Sequence, residues 1–151
     1  MYNKVAVLLF MTFWGCVNSP EKANDPKARL EQYMKKSFSV SSMADKEVML
    51  SFLTGEVRAR LGAWSEEQFR GAFIESKRKF LKLAIKETKE VSPGKVSIVY
   101  ELTYLDEGKG KDAKVTNRKL CELDQMSGTW YISKVTNIKE LIEYQSEMAL
   151  P

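Results

Sequence analysis

The chain has 151 residues, enough for one domain with an ordinary core, and its 44% apolar and 29% charged residues describe a globular protein, neither disordered nor polytopic. Its 24 Lys and Arg against 20 Asp and Glu leave a net charge of +4, and the two signs are interspersed, so no nucleic-acid face is expected and the basic patches at Ser76–Lys89 and Gly108–Lys114 read as a solvated strand face and a solvated loop. There is no histidine, and Cys16 and Cys121 are the two cysteines, which excludes Ser-His-Asp and Cys-His nucleophiles and leaves too few ligands for a tetrahedral zinc site.

Lys4 precedes an apolar run of ten residues, Val5 to Trp14, which ends at Gly15-Cys16 and gives way to the polar stretch Asn18-Ser19-Pro20-Glu21-Lys22. The run falls short of the roughly 20 apolar residues a spanning helix needs, and its outline is that of a secretory signal. Gly15-Cys16 resembles the lipobox ending of a bacterial lipoprotein precursor, although Phe13 and Trp14 stand where Leu and a small residue are usual. That resemblance implies a signal peptide at residues 1–15, a lipidated tether at 16–24, and lipidation of Cys16 with the lipid bilayer as its partner. Acyl chains bury about 0.8 kcal/mol per CH₂, enough to hold a domain on a membrane. Val17 in place of Asp after the cysteine implies the periplasmic face of the outer membrane, if the source is diderm. With Cys16 modified, Cys121 has no partner and no disulfide is expected.

Residues 25–151 read as one domain. Asp25-Pro26 is an N-cap followed by a proline at the first helical position. Leu30, Tyr33, Met34 and Phe38 then recur at helical spacing. A second helical stretch is expected from about Asp45, with Val48, Met49, Phe52 and Leu53 inward. Thr54-Gly55 interrupts it before Val57 and Leu61 continue the stripe. A third helix starts at the capping box Ser65-Glu66-Glu67-Gln68, with Phe69, Phe73 and Ile74 inward and Trp64 placed as a hydrophobic staple.

From about Lys79 the period changes to two: Leu81, Leu83 and Ile85 alternate with Lys82, Ala84 and Lys86. Pro93-Gly94 makes a turn, and Val96, Ile98, Tyr100, Leu102 and Tyr104 form an alternating apolar face. A third strand is expected over about Ala113 to Leu123, and a fourth over Thr129 to Val135 after the turn Gln125-Met126-Ser127-Gly128. Asn137 then caps a short C-terminal helix with Ile138, Leu141, Ile142 and Tyr144 inward. The expected fold class is α+β: three N-terminal helices packed on a curved four-stranded antiparallel sheet, with a short C-terminal helix.

This order of elements, together with the strand Gly128-x-Trp130-x-Ile132, resembles the NTF2-like (cystatin-like cone) superfamily over about Asp25 to Tyr144. The resemblance implies a sheet that wraps the helices around a conical pocket, which Tyr100, Tyr104 and Trp130 would line unless they serve only as core packing. Ketosteroid isomerase-like members use a carboxylate in apolar surroundings. The intra-strand carboxylates here are Glu101, which alternates toward solvent, and Glu122, whose strand is mixed on both faces. Cys121 reads as a small buried hydrophobe. The loop Gly108-Lys109-Gly110-Lys111-Asp112 lacks the Ser/Thr and the strand-to-helix setting of a phosphate-binding loop. No catalytic residue, metal or cofactor is assigned. The expected function is a membrane-anchored, non-catalytic envelope domain that binds a partner protein or envelope component. Two alternatives stand beside it: a pocket for a small apolar or lipid-like ligand, and a ketosteroid isomerase-like enzyme.

Overall fold

The computed structural model describes residues 25–144. The expected signal peptide and tether, Cys16 included, lie outside the described residues, as does the stretch from 145 onward.

The helical elements are α1 (Pro26–Ser37), α2 (Asp45–Leu50), α3 (Gly55–Gly62) and α4 (Glu66–Phe69), the last continued by a π-helical turn over Arg70–Ile74. Local chemistry sets their starts. The Asp25 carboxylate accepts the Lys27 N–H at 2.9 Å, and Pro26 removes a donor that would have had no partner. At Ser65 both halves of the capping box form, with Gln68 N–H to Ser65 Oγ at 3.2 Å and Ser65 N–H to Gln68 Oε1 at 2.9 Å. Asp45 gathers the loop before α2, accepting from the N–H groups of Ser41 (2.8 Å) and Ser42 (3.1 Å) and from Lys36 (2.5 Å).

The strands are β1 (Arg78–Ser92), β2 (Lys95–Asp106), β3 (Ala113–Met126) and β4 (Thr129–Tyr144), in one antiparallel sheet of order β1-β2-β3-β4. Pro93-Gly94, with Gly94 at φ 73°, closes the first hairpin. Ser127-Gly128, both at positive φ (50° and 80°), closes the last as a primed two-residue turn that matches the sheet's twist.

The expected fold class needs correction in two places. In place of three packed helices, a series of short helical segments precedes the sheet, because Thr54-Gly55 and the loop at Ser39–Ala44 cut the apolar stripe before it can lengthen. The expected C-terminal helix is absent: Asn137–Tyr144 is the second half of β4, paired with β3 as far as Tyr144 opposite Ala113. Ile138 drops out of register as a bulge, which brings Ile138, Leu141 and Ile142 to helix-like spacing inside a strand.

One core joins the two layers. Leu30, Met34, Met49, Leu53, Leu61 and Phe69 of the helical half meet Ile98, Tyr100, Val115, Cys121, Leu123 and Ile132 of the sheet's inner face. Arg29 clamps the layers, donating to the carbonyls of Trp130 (3.0 Å) and Ser51 (2.7 Å) while its guanidinium lies 4.2 Å from the Phe52 ring centre. Residues 52–54 extend the sheet by a short parallel bridge, Ile132 N–H to Phe52 O and Thr54 N–H to Ile132 O, both at 2.9 Å.

Candidate functional site

The inner face of β2 reads Val96, Ile98, Tyr100, Leu102, Tyr104, all buried. That of β3 reads Ala113, Val115, Asn117, Lys119, Cys121, Leu123. Because directly opposite residues share a face, Asn117 lies beside Leu102 and Lys119 beside Tyr100. Two polar side chains thus interrupt an otherwise apolar surface. The helical segments do not fill the space above them.

The space is a cavity of about 330 Å³ between the helical half and the sheet. Tyr33, Met34, Phe38, Val57, Trp64 and Phe73 supply its apolar roof and walls, and Tyr100, Leu102, Tyr104, Asn117, Lys119 and Val135 its floor. Aromatic contacts brace the roof: Trp64 and Phe73 lie 6.0 Å apart, Phe73 and Phe69 5.0 Å, and Phe38 and Tyr104 5.7 Å between ring centres. Trp64 therefore contacts the segment it was expected to staple. Ala72, Ser76, Arg78 and Tyr104 also line a neighbouring hollow of about 520 Å³, so these four lie between the two.

Polar groups cluster at that end. Asn117, 7% exposed, donates through Nδ2 to the Tyr104 hydroxyl at 3.1 Å, which leaves the Tyr104 proton free to be donated onward. Arg78 donates through Nε to Ser76 Oγ (3.1 Å) and through Nη2 to the Ala72 carbonyl, with its guanidinium 5.9 Å from the Tyr104 ring centre. The Tyr100 hydroxyl is buried with no hydrogen-bond partner among the described residues. Burial raises the pKa of Tyr100 and pushes that of Tyr33 up to about 12, the nearby Cys121 adding to both, so both phenols are neutral donors. Burial lowers the pKa of Lys119, and the Arg78 charge lowers it further while Glu140 opposes the shift.

Of the residues expected to line a pocket, Tyr100 and Tyr104 do so. Trp130 does not: it lies on the same face but opposite Gln125, at the turn end of the sheet, where its carbonyl receives Arg29. The two carboxylates weighed for catalysis stand on the other face. Glu101 pairs with Lys86 at 2.9 Å and Glu122 with Lys134 at 3.5 Å. No Asp or Glu among the described residues lines the cavity. Cys121 is fully buried and its thiol is pushed up to about 12, by burial first and the Glu122 charge second. Asn117, Lys119 and Arg78 were not singled out from sequence. The signal for the first two was available: polar residues on the inward phase of a strand whose other inward residues are apolar.

No family model matches the chain, and no curated protein matches it. Among solved structures it is similar to a SEC-C motif containing protein from Rhodopseudomonas palustris, with 15% sequence identity and a TM-score of 0.56, over 78% of this chain and 81% of that one. At this identity the likeness is one of fold alone.

Proposed function

We propose that this domain is a non-catalytic binding module that encloses a small apolar or lipid-like molecule, carried at a membrane by a lipidated Cys16. The carrying observation is the cavity of about 330 Å³, walled by aromatic and aliphatic side chains with a few polar groups gathered at one end, which is the usual composition of a small-molecule site. The ketosteroid isomerase-like reaction weighed from the sequence uses a carboxylate in apolar surroundings, and no Asp or Glu among the described residues lines the cavity. A docking face for a partner protein needs a continuous apolar patch. Among the described residues the large exposed apolar side chains of the sheet are Phe80, Leu81 and Val91 on β1, Met126 on β3, and Ile138, Leu141 and Tyr144 on β4, so most stand on its two opposite edge strands.

The test is titration of the full chain with the fluorescent apolar probe N-phenyl-1-naphthylamine. One saturable site per chain is expected, lost when Ala72→Trp fills the cavity. Absence of a saturable site, or a site indifferent to Ala72→Trp in a variant that keeps its thermal stability, would overturn the reading.

A further inference from the structure

Five lysines among the described residues are half-buried: Lys36, Lys46, Lys95, Lys114 and Lys119. Four of them are satisfied. Lys36 meets Asp45 at 2.5 Å, Lys95 meets Asp124 at 3.5 Å and Lys114 meets Glu143 at 3.3 Å. Lys46 donates to the carbonyls of Gly62 (3.1 Å) and Trp64 (2.7 Å). Lys119 has neither an ion pair nor a hydrogen bond among the described residues, and it lines the cavity. Glu140, whose charge reaches it, is held by Lys109 at 3.1 Å.

A desolvated ammonium without a partner is unfavourable, and folded proteins rarely keep one without a use for it. A second cation sits at the same end. Arg78 spends two of its nitrogens on Ser76 and Ala72, which fixes its guanidinium, while Nη1 makes no hydrogen bond among the described residues. The Tyr104 proton, freed by the Asn117 amide, is a third donor. The cavity therefore has an apolar body and a cationic, donor-rich end, with no acid among the described residues in its lining.

We propose that the cavity takes an amphipathic monocarboxylate, its carboxylate held by Lys119 and Arg78 with the Tyr104 hydroxyl and its apolar body laid against Tyr33, Phe38, Trp64 and Phe73. This rests on the pocket reading above and adds the charge of the ligand to it. A single negative charge on two oxygens matches the free donors, one ammonium, one guanidinium nitrogen and one hydroxyl. The cavity lies at the small end of the range for organic ligands, which favours a short or medium chain over a two-tailed lipid.

The experiment is isothermal titration of the full chain, wild type and Lys119→Met, with octanoate, 1-octanol, octyltrimethylammonium and octyl phosphate. Partitioning into the apolar leader is common to both chains and cancels in their comparison. Octanoate is expected to bind wild type about tenfold or more tightly than octanol, a typical effect of a charge-assisted hydrogen bond, with the cation weakest. Lys119→Met is expected to bring octanoate down to the level of octanol and to leave octanol within about twofold. Equal binding of octanoate and octanol to wild type would overturn the anion inference while leaving the apolar pocket standing. Octyl phosphate binding about tenfold tighter than octanoate would overturn the carboxylate. Binding of none of the four would overturn both readings together. Because the Lys119 side chain makes no hydrogen bond or ion pair among the described residues, its methionine variant keeps the comparison readable where an Arg78 variant would also release the Ala72 carbonyl.

Discussion

Tyr100 on β2 and Lys119 on β3 stand directly opposite one another, a buried phenol hydroxyl beside a half-buried cation, neither with a hydrogen-bond or ion-pair partner among the described residues. Neither belongs to a self-sufficient core, since each carries the desolvation of a polar group with no hydrogen bond to offset it. Stability and the ligand binding proposed for the cavity therefore pull apart at this pair.

Tyr100→Phe is expected to stabilise the unliganded chain by about 1 kcal/mol, because it removes an unsatisfied buried hydroxyl and leaves the ring in place. Lys119→Met is expected to leave the melting temperature at neutral pH unchanged or raised. The folded-state pKa of Lys119 lies below the unfolded value of 10.5, so its penalty is complete at neutral pH and is relieved as pH rises through the folded value. Wild type should thus gain on the variant as pH climbs into the alkaline range. Thermal melts of both chains between pH 7 and the lysine range check this.

The second half of β4 gives a prediction that separates strand from helix. Ile142 lies opposite Val115 on the inner face and packs on the core, whereas Leu141 lies opposite Thr116 on the outer face and is 49% exposed. Ile142→Ala should cost about 1–2 kcal/mol, the low end for a partly buried aliphatic. Leu141→Ala should stay within about 0.5 kcal/mol of wild type. Urea denaturation measures both, and equal losses would falsify the strand.

Asp45 is held by Lys36 and by the N–H groups of Ser41 and Ser42, and these bonds lower its pKa well below the usual carboxylate range. A depressed folded-state pKa contributes stability that is complete above the unfolded value, 3.8 here, and fades as pH falls through the folded one. Asp45→Asn should therefore lower the melting temperature at pH 7, and the gap between the two chains should narrow steadily as the solution is acidified below pH about 4. A gap that stays constant down to strongly acidic pH would remove the charge from this account.

Cys121 should be inert. In a Cys16→Ser chain its thiol, fully buried and with a pKa pushed up to about 12, is expected to give no reaction with an aromatic disulfide reagent at pH 8 under native conditions. One equivalent should react in denaturant. Rapid native labelling would show that the core opens around it.

What could be read from the sequence divides by range. Asp25-Pro26 and Ser65–Gln68 announce helix starts because capping is settled within three or four residues. The face Val96 to Tyr104 was legible because β2 runs without a break in its pairing to β3, so period two holds throughout. Where the ladder slips, the phase was lost. Leu81, read on one alternation with Leu83 and Ile85, falls at the slip between Phe80 and Lys82 and stands 48% exposed, while Phe80 meets the Phe38 ring at 5.5 Å. At Ile138 a similar slip imitated helical spacing. The cavity itself depends on which partners the helical half brings to the floor. Tyr100 and Tyr104 lie under a gap and Trp130, on the same alternation, does not.

Those slips have a consequence for how copies of this chain behave when crowded together. A four-stranded sheet that is not closed into a barrel leaves two borders whose backbone groups invite another strand to add on. Here β1 breaks its regular ladder three times, at Phe80/Lys82, Ile85/Glu87 and Glu90/Ser92, and carries Lys79, Lys82, Lys86 and Lys89 along an exposed border. On the other side β4 is interrupted at Ser133 and Ile138, and residues 52–54 already occupy the backbone of Ile132. Neither border offers the straight, uncharged run that growth into a fibre requires. The irregularities that hid the fold from a reading of its sequence are the same ones that break up both of its open borders.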